Sequence, residues 1–193
     1  MLENKKAIIF DFDGVLCFLN WNYKGTLYQW KQGLWDLLEE YEPGIKKKFG
    51  GTVSYSYEHV DYVIRKYGQK AATKINDYHL KKELEILDTS TMNRELIQFI
   101  ENLDVGIELY VWSNNETETI KKALDNAGIL NRFKCVVGRD LAYLAKPNIE
   151  GFDVIKEQTQ LSIKDFLFIG DQEATDKVAA EKLGMDFFLY NKI

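Results

Sequence analysis

The 193-residue sequence contains only two cysteines, two histidines and two prolines. Cys17 and Cys135 lie far apart and form no Cys-x-x-Cys motif. This scarcity argues against a disulfide framework and against a zinc site built on thiolates. Such cysteine usage is typical of a reduced compartment, and we therefore expect a soluble, cytoplasmic protein.

Long hydrophobic runs and an excess of positive charge are absent as well. No stretch approaches the roughly 18 apolar residues of a membrane span, and the apolar run that ends at Asp11 is too short for a signal peptide. The formal net charge is −5, whereas a protein that coats nucleic acid or an anionic membrane needs a basic surface. We expect neither nucleic acid nor a membrane among its partners, and the sequence does not indicate an oligomeric state.

The composition itself is that of a globular protein, with 46% hydrophobic and 28% charged residues, which excludes wholesale disorder. Five short apolar runs predict strands buried on both faces. These runs are residues 7–10, 107–112, 133–137, 166–169 and 187–190. Amphipathic patterns predict helices at 91–103, 116–127, 149–159 and 176–183. Strands and helices that alternate in this way predict an α/β fold built on a parallel sheet.

Residues 17–88 interrupt this alternation. They contain three successive helical patterns and no convincing strand, and the patterns cover residues 27–41, 57–67 and 70–87. We therefore predict two units. Residues 1–16 and 89–193 form an α/β core, and residues 17–88 form an all-helical insertion after the first strand.

Two acidic residues follow the first predicted strand. Because side chains alternate along an extended strand, Asp11 and Asp13 are expected on one side and Phe12 on the other. Two carboxylates that close repel each other by on the order of 4 kcal/mol at an effective dielectric constant of 20. A divalent cation with oxygen ligands offsets such repulsion, so the pair predicts a metal site.

Polar residues also follow the next three predicted strands. Ser113 and Asn114 stand before a helix, where free amide groups and a hydroxyl are suited to binding phosphate. Lys146 precedes a proline, and Asp171 and Asp176 stand at the end of the fourth strand and the start of the next helix. The carboxyl ends of parallel strands lie at one edge of a sheet, where ligands bind in α/β proteins. Acids, a hydroxyl and a lysine are therefore expected to meet there.

In this order, the segment DFDGV, the serine of SNN, the lysine of KP and the segment GDQEATD resemble motifs I to IV of the haloacid dehalogenase (HAD) superfamily. The resemblance covers roughly residues 1–16 and 89–193. It implies a Rossmann-like parallel sheet of five main strands in the order 5-4-1-2-3, flanked by helices. The predicted insertion stands where that superfamily carries its C1 cap, so the resemblance also implies a helical cap.

The resemblance implies catalytic roles for three residues and phosphate binding by two more. Asp11 would be the nucleophile that forms an aspartyl-phosphate, and Asp13 would protonate the leaving oxygen and then activate water. Ser113 and the backbone N–H of Asn114 would bind phosphoryl oxygens. Lys146 would bind the same phosphoryl group and neutralise its charge.

The resemblance also implies Mg²⁺ as cofactor. The ion would be held by Asp11, the backbone carbonyl of Asp13, Asp171 and water molecules. Asp176 would contribute either directly or through a water molecule.

The function expected from these motifs is Mg²⁺-dependent hydrolysis of a small phosphorylated metabolite. The acid at Asp13 favours phosphoryl transfer, because the dehalogenases of the superfamily lack an acid at the matching position. Two alternatives remain open: a phosphomutase of the same fold, and a non-catalytic regulator that binds phosphate or a partner. A phosphonate hydrolase would need a lysine near the start of the insertion, for which Lys24 is a candidate only by position. Trp21 to Lys24 are the insertion residues expected nearest a ligand.

Overall fold

The computed structural model describes residues 4–51 and 57–191 of the chain. Seven strands lie in these segments. They are β1 (Ala7–Phe10), β2 (Cys17–Phe18), β3 (Thr91–Met92), β4 (Glu108–Trp112), β5 (Phe133–Val137), β6 (Phe166–Gly170) and β7 (Asp186–Leu189). Five of them form a parallel sheet in the order β5-β4-β1-β6-β7. Read from its other edge, this is the predicted order 5-4-1-2-3 of the five main strands, and the α/β class is confirmed.

Strand β1 occupies the centre of the sheet and is fully buried. Ala7 pairs with Glu108 of β4 on one side and with Phe166 of β6 on the other. The side chains of Ile8 and Phe10 belong to one hydrophobic cluster, and those of Ala7 and Ile9 belong to another. Since successive side chains point to opposite faces, a continuous apolar run here means that both faces of the sheet are covered.

Eight α-helices accompany the strands in the described segments. They are α1 (Thr26–Tyr41), α2 (Ile45–Lys48), α3 (Glu58–Tyr67), α4 (Gln69–Leu87), α5 (Arg94–Asn102), α6 (Thr117–Asn126), α7 (Glu150–Lys156) and α8 (Val178–Leu183). A π-helical turn at Glu173–Lys177 precedes α8. Neither described segment contains a helix with the length and hydropathy needed to cross a bilayer.

The helices α1, α3 and α4 enclose a hydrophobic cluster of their own. Its buried members include Leu34, Trp35, Val60 and Ile75. One member, Leu144, comes from the loop after β5. This loop side chain therefore packs the helical segment against the sheet-forming part of the chain.

The sequence was misread at the junction of these parts. Cys17–Phe18 is a strand rather than part of an all-helical segment, and it pairs antiparallel with Thr91–Met92. The helix predicted from residue 91 begins only at Arg94. Its N-cap is Asn93, whose side chain accepts a hydrogen bond from the backbone N–H of Leu96. A two-residue strand is too short to show a period, and its partner is distant in sequence, so periodicity does not reveal it.

Candidate active site

The end of β1 carries Asp11 and Asp13 into one cavity. Asp11 extends the strand, since its backbone N–H donates to Ile169 of β6 at 2.9 Å. Its side chain is buried, whereas Asp13 is half-buried. Phe12 packs in a hydrophobic cluster of the core while both acids line the cavity, as the alternation predicts.

Three of the four predicted acids lie close together. One carboxylate oxygen from each of Asp11, Asp171 and Asp176 lies within 4.8 Å of the others. Burial, together with the charges of Asp11 and Asp176, raises the pKa of Asp171 to about 7. Among the described residues, the buried Oδ1 of Asp171 has no hydrogen-bond partner. Such an oxygen, close to the carboxylates of Asp11 and Asp176, is suited to bind a hard divalent cation, which takes oxygen ligands.

Two glycines allow these acids to approach the strand ends. A Cβ on Gly14 would stand 2.2 Å from Asp171 Oδ2, and its φ of +88° is in the left-handed region. A Cβ on Gly170 would stand 2.5 Å from the Asp176 side chain. Glycine is thus required at both positions by close contact.

Lys146 connects the acids from the two ends of the chain. Its Nζ is buried and donates to Asp11 Oδ1 at 2.9 Å, to Asp176 Oδ1 at 2.6 Å and to the Trp112 carbonyl at 3.0 Å. Burial lowers the pKa of Lys146, but the two carboxylates outweigh it and hold the pKa above its usual value. Burial raises the pKa of Asp11 to about 6 against the opposing effect of Lys146.

Asn114 holds the backbone of Lys146. Its side-chain Oδ1 accepts from the Lys146 N–H at 2.7 Å, and its Nδ2 donates to the Lys146 carbonyl at 3.3 Å. The expectation for Asn114 concerned only its backbone N–H, so this contact of its side chain is new. The side chain of Asn114 thus connects the segment after β4 to the loop after β5 through hydrogen bonds.

Ser113 is held by a chain of buried side chains that begins on α4. Its hydroxyl lies 3.0 Å from Asn115 Oδ1, and Asn115 Nδ2 donates to Glu83 Oε1 at 2.9 Å. The backbone N–H of Glu116 donates to the other Glu83 oxygen at 3.0 Å. A carboxylate from the helical segment thus binds the start of α6 beside the cavity.

Sequence reasoning missed Glu83 and its neighbour Arg139. The signal for Glu83 was its spacing, because it follows Ile75 and His79 at intervals of four residues on the buried face of α4. Arg139 is buried, lies 3.8 Å from Glu116 and covers the ring of Tyr57. No local pattern marks it.

Glu83 leads to a testable pH dependence. Burial raises its pKa from 4.5 to about 7, so the folded chain retains a proton that the unfolded chain releases at lower pH. The free energy of unfolding therefore falls as the pH rises through this range. Between about pH 5 and pH 8, we expect the free energy of unfolding of Glu83→Gln to fall by on the order of 3 kcal/mol less than that of wild type. Urea denaturation at a series of pH values measures this difference.

The matched control for this measurement is Glu85→Gln. Glu85 stands on the same helix but is exposed, and the variant should keep the wild-type slope. If the free energy of unfolding of Glu83→Gln fell with pH as steeply as that of wild type, the raised pKa of Glu83 would be contradicted.

A cavity of about 400 Å³ opens in front of Asp11. All the predicted site residues line it, and so do Trp21 and Asn22 of the segment expected near a ligand. The remaining lining residues are Gly14, Leu19, Asn20, Leu27, Trp30, Lys31, Tyr57, Asn115, Gln172 and Thr175.

Lys24 is exposed, and its Nζ lies over the ring of Tyr23. Within the described chain, the lysine that the helical segment presents to the cavity is therefore Lys31, which the sequence did not single out.

A family model described as haloacid dehalogenase-like hydrolase matches residues 5–184 of the chain. No curated protein matches the sequence. The match runs from β1 to α8, and it includes every residue of the candidate site.

Solved structures resemble the chain over nearly its whole length. The magnesium-bound form of YfnB from Bacillus subtilis, named as a HAD hydrolase, superposes with a TM-score of 0.61 and 20% identity over 97% of this chain and 87% of that one. A HAD phosphatase from Thermococcus onnurineus has a TM-score of 0.59 and 19% identity, covering 96% and 86%. A predicted phosphoglycolate phosphatase from Haemophilus somnus 129pt has a TM-score of 0.60 and 21% identity, covering 95% and 84%. At these identities, the likeness shows a shared fold.

Proposed function

The chain belongs to the haloacid dehalogenase-like hydrolase family, and on that premise we propose that it is a Mg²⁺-dependent phosphatase of a small phosphorylated metabolite. The observation that carries this proposal is the contact of Lys146 with Asp11 and Asp176 at 2.9 and 2.6 Å. This contact supports the proposal, because a buried carboxylate suited to act as nucleophile lies beside a fixed ammonium group in a cavity open to a ligand. A binding protein has no need of such an arrangement.

The first chemical step is assigned to Asp11. Its carboxylate oxygen attacks phosphorus, the bond from phosphorus to the leaving oxygen breaks, and an aspartyl-phosphate forms. Lys146 lies against this carboxylate and offsets the repulsion between an anionic nucleophile and an anionic substrate. Burial excludes competing water and strengthens that interaction.

The proton transfers are assigned to Asp13. It donates a proton to the leaving oxygen in the first step and takes one from the attacking water in the second. Burial raises the pKa of Asp13, against the hydrogen bonds from Leu19 and Trp21, which favours the protonated form that the first step needs. Asp13 lines the same cavity as Asp11.

Phosphate binding is assigned to the residues that follow β4. The hydroxyl of Ser113 and the backbone N–H of Asn114 would donate to phosphoryl oxygens, with Lys146 as the charged partner. Ser113 is buried and its hydroxyl is held beside Asn115. That hydroxyl donates its single proton to Asn115 Oδ1 at 3.0 Å, so the O–H has to turn away from Asn115 to donate to a phosphoryl oxygen.

The carboxylates fit Mg²⁺. Asp11, Asp171 and the backbone carbonyl of Asp13 would hold the ion, with Asp176 directly or through a water molecule. When bound, it supplies positive charge that offsets the negative charge of the phosphoryl group. Asp171 Oδ1, which has no hydrogen-bond partner in the part of the chain that the structure describes, supports this assignment.

We propose that residues 17–88 act as a cap over a core of residues 1–16 and 89–193. The separate hydrophobic cluster of the helices supports this division. So does the position of Trp21, Trp30 and Lys31, which line the same cavity as the acids. Closure of such a cap excludes water during the first step, and its residues contact the leaving group.

The metal dependence is tested by release of inorganic phosphate from p-nitrophenyl phosphate. We expect activity with Mg²⁺, loss of activity with a chelator and recovery with excess Mg²⁺. Asp171→Asn should raise the Mg²⁺ concentration for half-maximal activity by about 10- to 100-fold. The exposed Asp36→Asn variant serves as the control and should match wild type.

The same assay separates the alternatives when the substrate panel is widened. Phosphorylated sugars, nucleotides and organic acids, including phosphoglycolate, are compared by kcat/KM. Transfer of the phosphoryl group to a sugar phosphate instead of water would identify a phosphomutase. No turnover of any member with any divalent metal would indicate a binding protein and overturn the proposal.

A further inference from the structure

Both carboxylate oxygens of Asp13 are held by the chain segment that follows it. The backbone N–H of Leu19 donates to Oδ1 at 3.0 Å. The indole Nε1–H of Trp21 donates to Oδ2 at 2.8 Å. The direction in which Asp13 points is therefore set by two donors, one of which is a side chain.

The indole of Trp21 is itself fixed by its surroundings. Its backbone N–H donates to the Leu19 carbonyl at 2.9 Å, and its carbonyl accepts from Leu27 of α1 at 2.8 Å. Its ring lies 5.4 Å from the ring of Trp30. Trp30 is buried, and its own Nε1–H donates to His79 of α4 at 2.9 Å. The donor to Asp13 is thus anchored to two helices of the cap.

We propose that Trp21 is a positioning residue whose indole N–H aims the Asp13 carboxyl group at the reacting oxygen. This inference rests on the proposed function, in which Asp13 transfers the protons. Proton transfer requires a heavy-atom approach within hydrogen-bond distance and correct alignment. A carboxyl group that has lost one of its two donors rotates more freely, so fewer of its conformations are productive.

The consequence differs between leaving groups. An alkoxide is a poor leaving group and depends on protonation by Asp13 in the step that forms the aspartyl-phosphate. The p-nitrophenolate ion leaves without a proton. Since kcat/KM reports only the steps up to the first irreversible one, it separates this requirement from the later hydrolysis of the intermediate.

The test compares Trp21→Phe with Trp30→Phe. Each variant loses one indole N–H and keeps an aromatic ring in the cavity wall, but only the first loses a donor to Asp13. We expect Trp21→Phe to lower kcat/KM for alkyl phosphates by about 10- to 100-fold and for p-nitrophenyl phosphate by less than about threefold. Trp30→Phe loosens a neighbour of Trp21 but keeps the donor to Asp13, so we expect its effects on the two substrates to differ by less than about threefold.

A second substitution covers the case in which Trp21→Phe does not fold. Benzothienylalanine at position 21 keeps the size of the ring system and replaces the N–H with sulfur. The same selective loss is expected. In an Asp13→Asn background, removing the indole N–H should have no further effect on alkyl phosphates, because the two residues act as a unit.

The proposal is overturned if Trp21 variants lower kcat/KM for both substrate classes equally or change neither. That result leaves the proposed function intact as long as the wild-type protein hydrolyses phosphomonoesters and Asp11→Asn does not. If the wild-type protein hydrolyses neither class, the proposed function itself has failed.

Discussion

Asp11→Asn lowers phosphate release by at least about 10⁴-fold and leaves the protein folded. An amide does not attack phosphorus, so the aspartyl-phosphate cannot form. The substitution preserves size and shape, and its carbonyl oxygen can still accept from Lys146, which donates to Oδ1 at 2.9 Å in the wild-type chain. The measurement is kcat with p-nitrophenyl phosphate under saturating Mg²⁺, together with the thermal unfolding midpoint.

The control for Asp11→Asn is the same chemical change outside the cavity. Asp36 is exposed on α1, and Asp36→Asn should retain wild-type kcat. An Asp11→Asn protein that keeps most of its activity would show that Asp11 is not the nucleophile.

Lys146→Met damages both activity and stability. Without the ammonium, Asp11 and Asp176 face each other while buried, each having lost a bond of 2.9 or 2.6 Å. Removing one partner of a buried ion pair costs about 3–5 kcal/mol, and removing one group that stabilises developing charge costs about 10²–10³ in kcat. Urea denaturation in the absence of metal and steady-state kinetics measure the two effects separately.

Lys182→Met is the matched control for Lys146→Met. Lys182 is exposed and donates to the carbonyl of Pro147, one residue after Lys146. We expect its stability to stay within about 0.5 kcal/mol of wild type. Equal stability of Lys146→Met and wild type would show that the lysine does not compensate the two acids.

The sheet and its acids could be predicted from sequence because they depend on local patterns. A buried parallel strand is a short apolar run, and the polar residue after it necessarily lies at the ligand-binding edge. Asp11, Ser113, Lys146 and Asp171 were identified in this way, and the structure brings all four to one cavity. The order of these motifs along the chain led to the inference that the residues form one site.

The contacts of the helical segment could not be predicted, because they depend on how helices dock. Glu83 reaches Asn115 and Glu116 only after α4 packs against α6. Trp21 reaches Asp13 through a loop with no period. Lys31 lies on α1, and it lines the cavity because of how that helix is oriented about its own axis. A pattern along the chain gives the buried face of a helix but not its partner.

The most direct test of the account is to trap the covalent intermediate. The protein is mixed with p-nitrophenyl phosphate and Mg²⁺, quenched in acid during turnover, digested and analysed by mass spectrometry. The account predicts one added phosphoryl group on the peptide that contains Asp11, lost on treatment with hydroxylamine and absent in Asp11→Asn. A protein that turns over fully while its phosphoryl group is found on another residue, or on none, would contradict it.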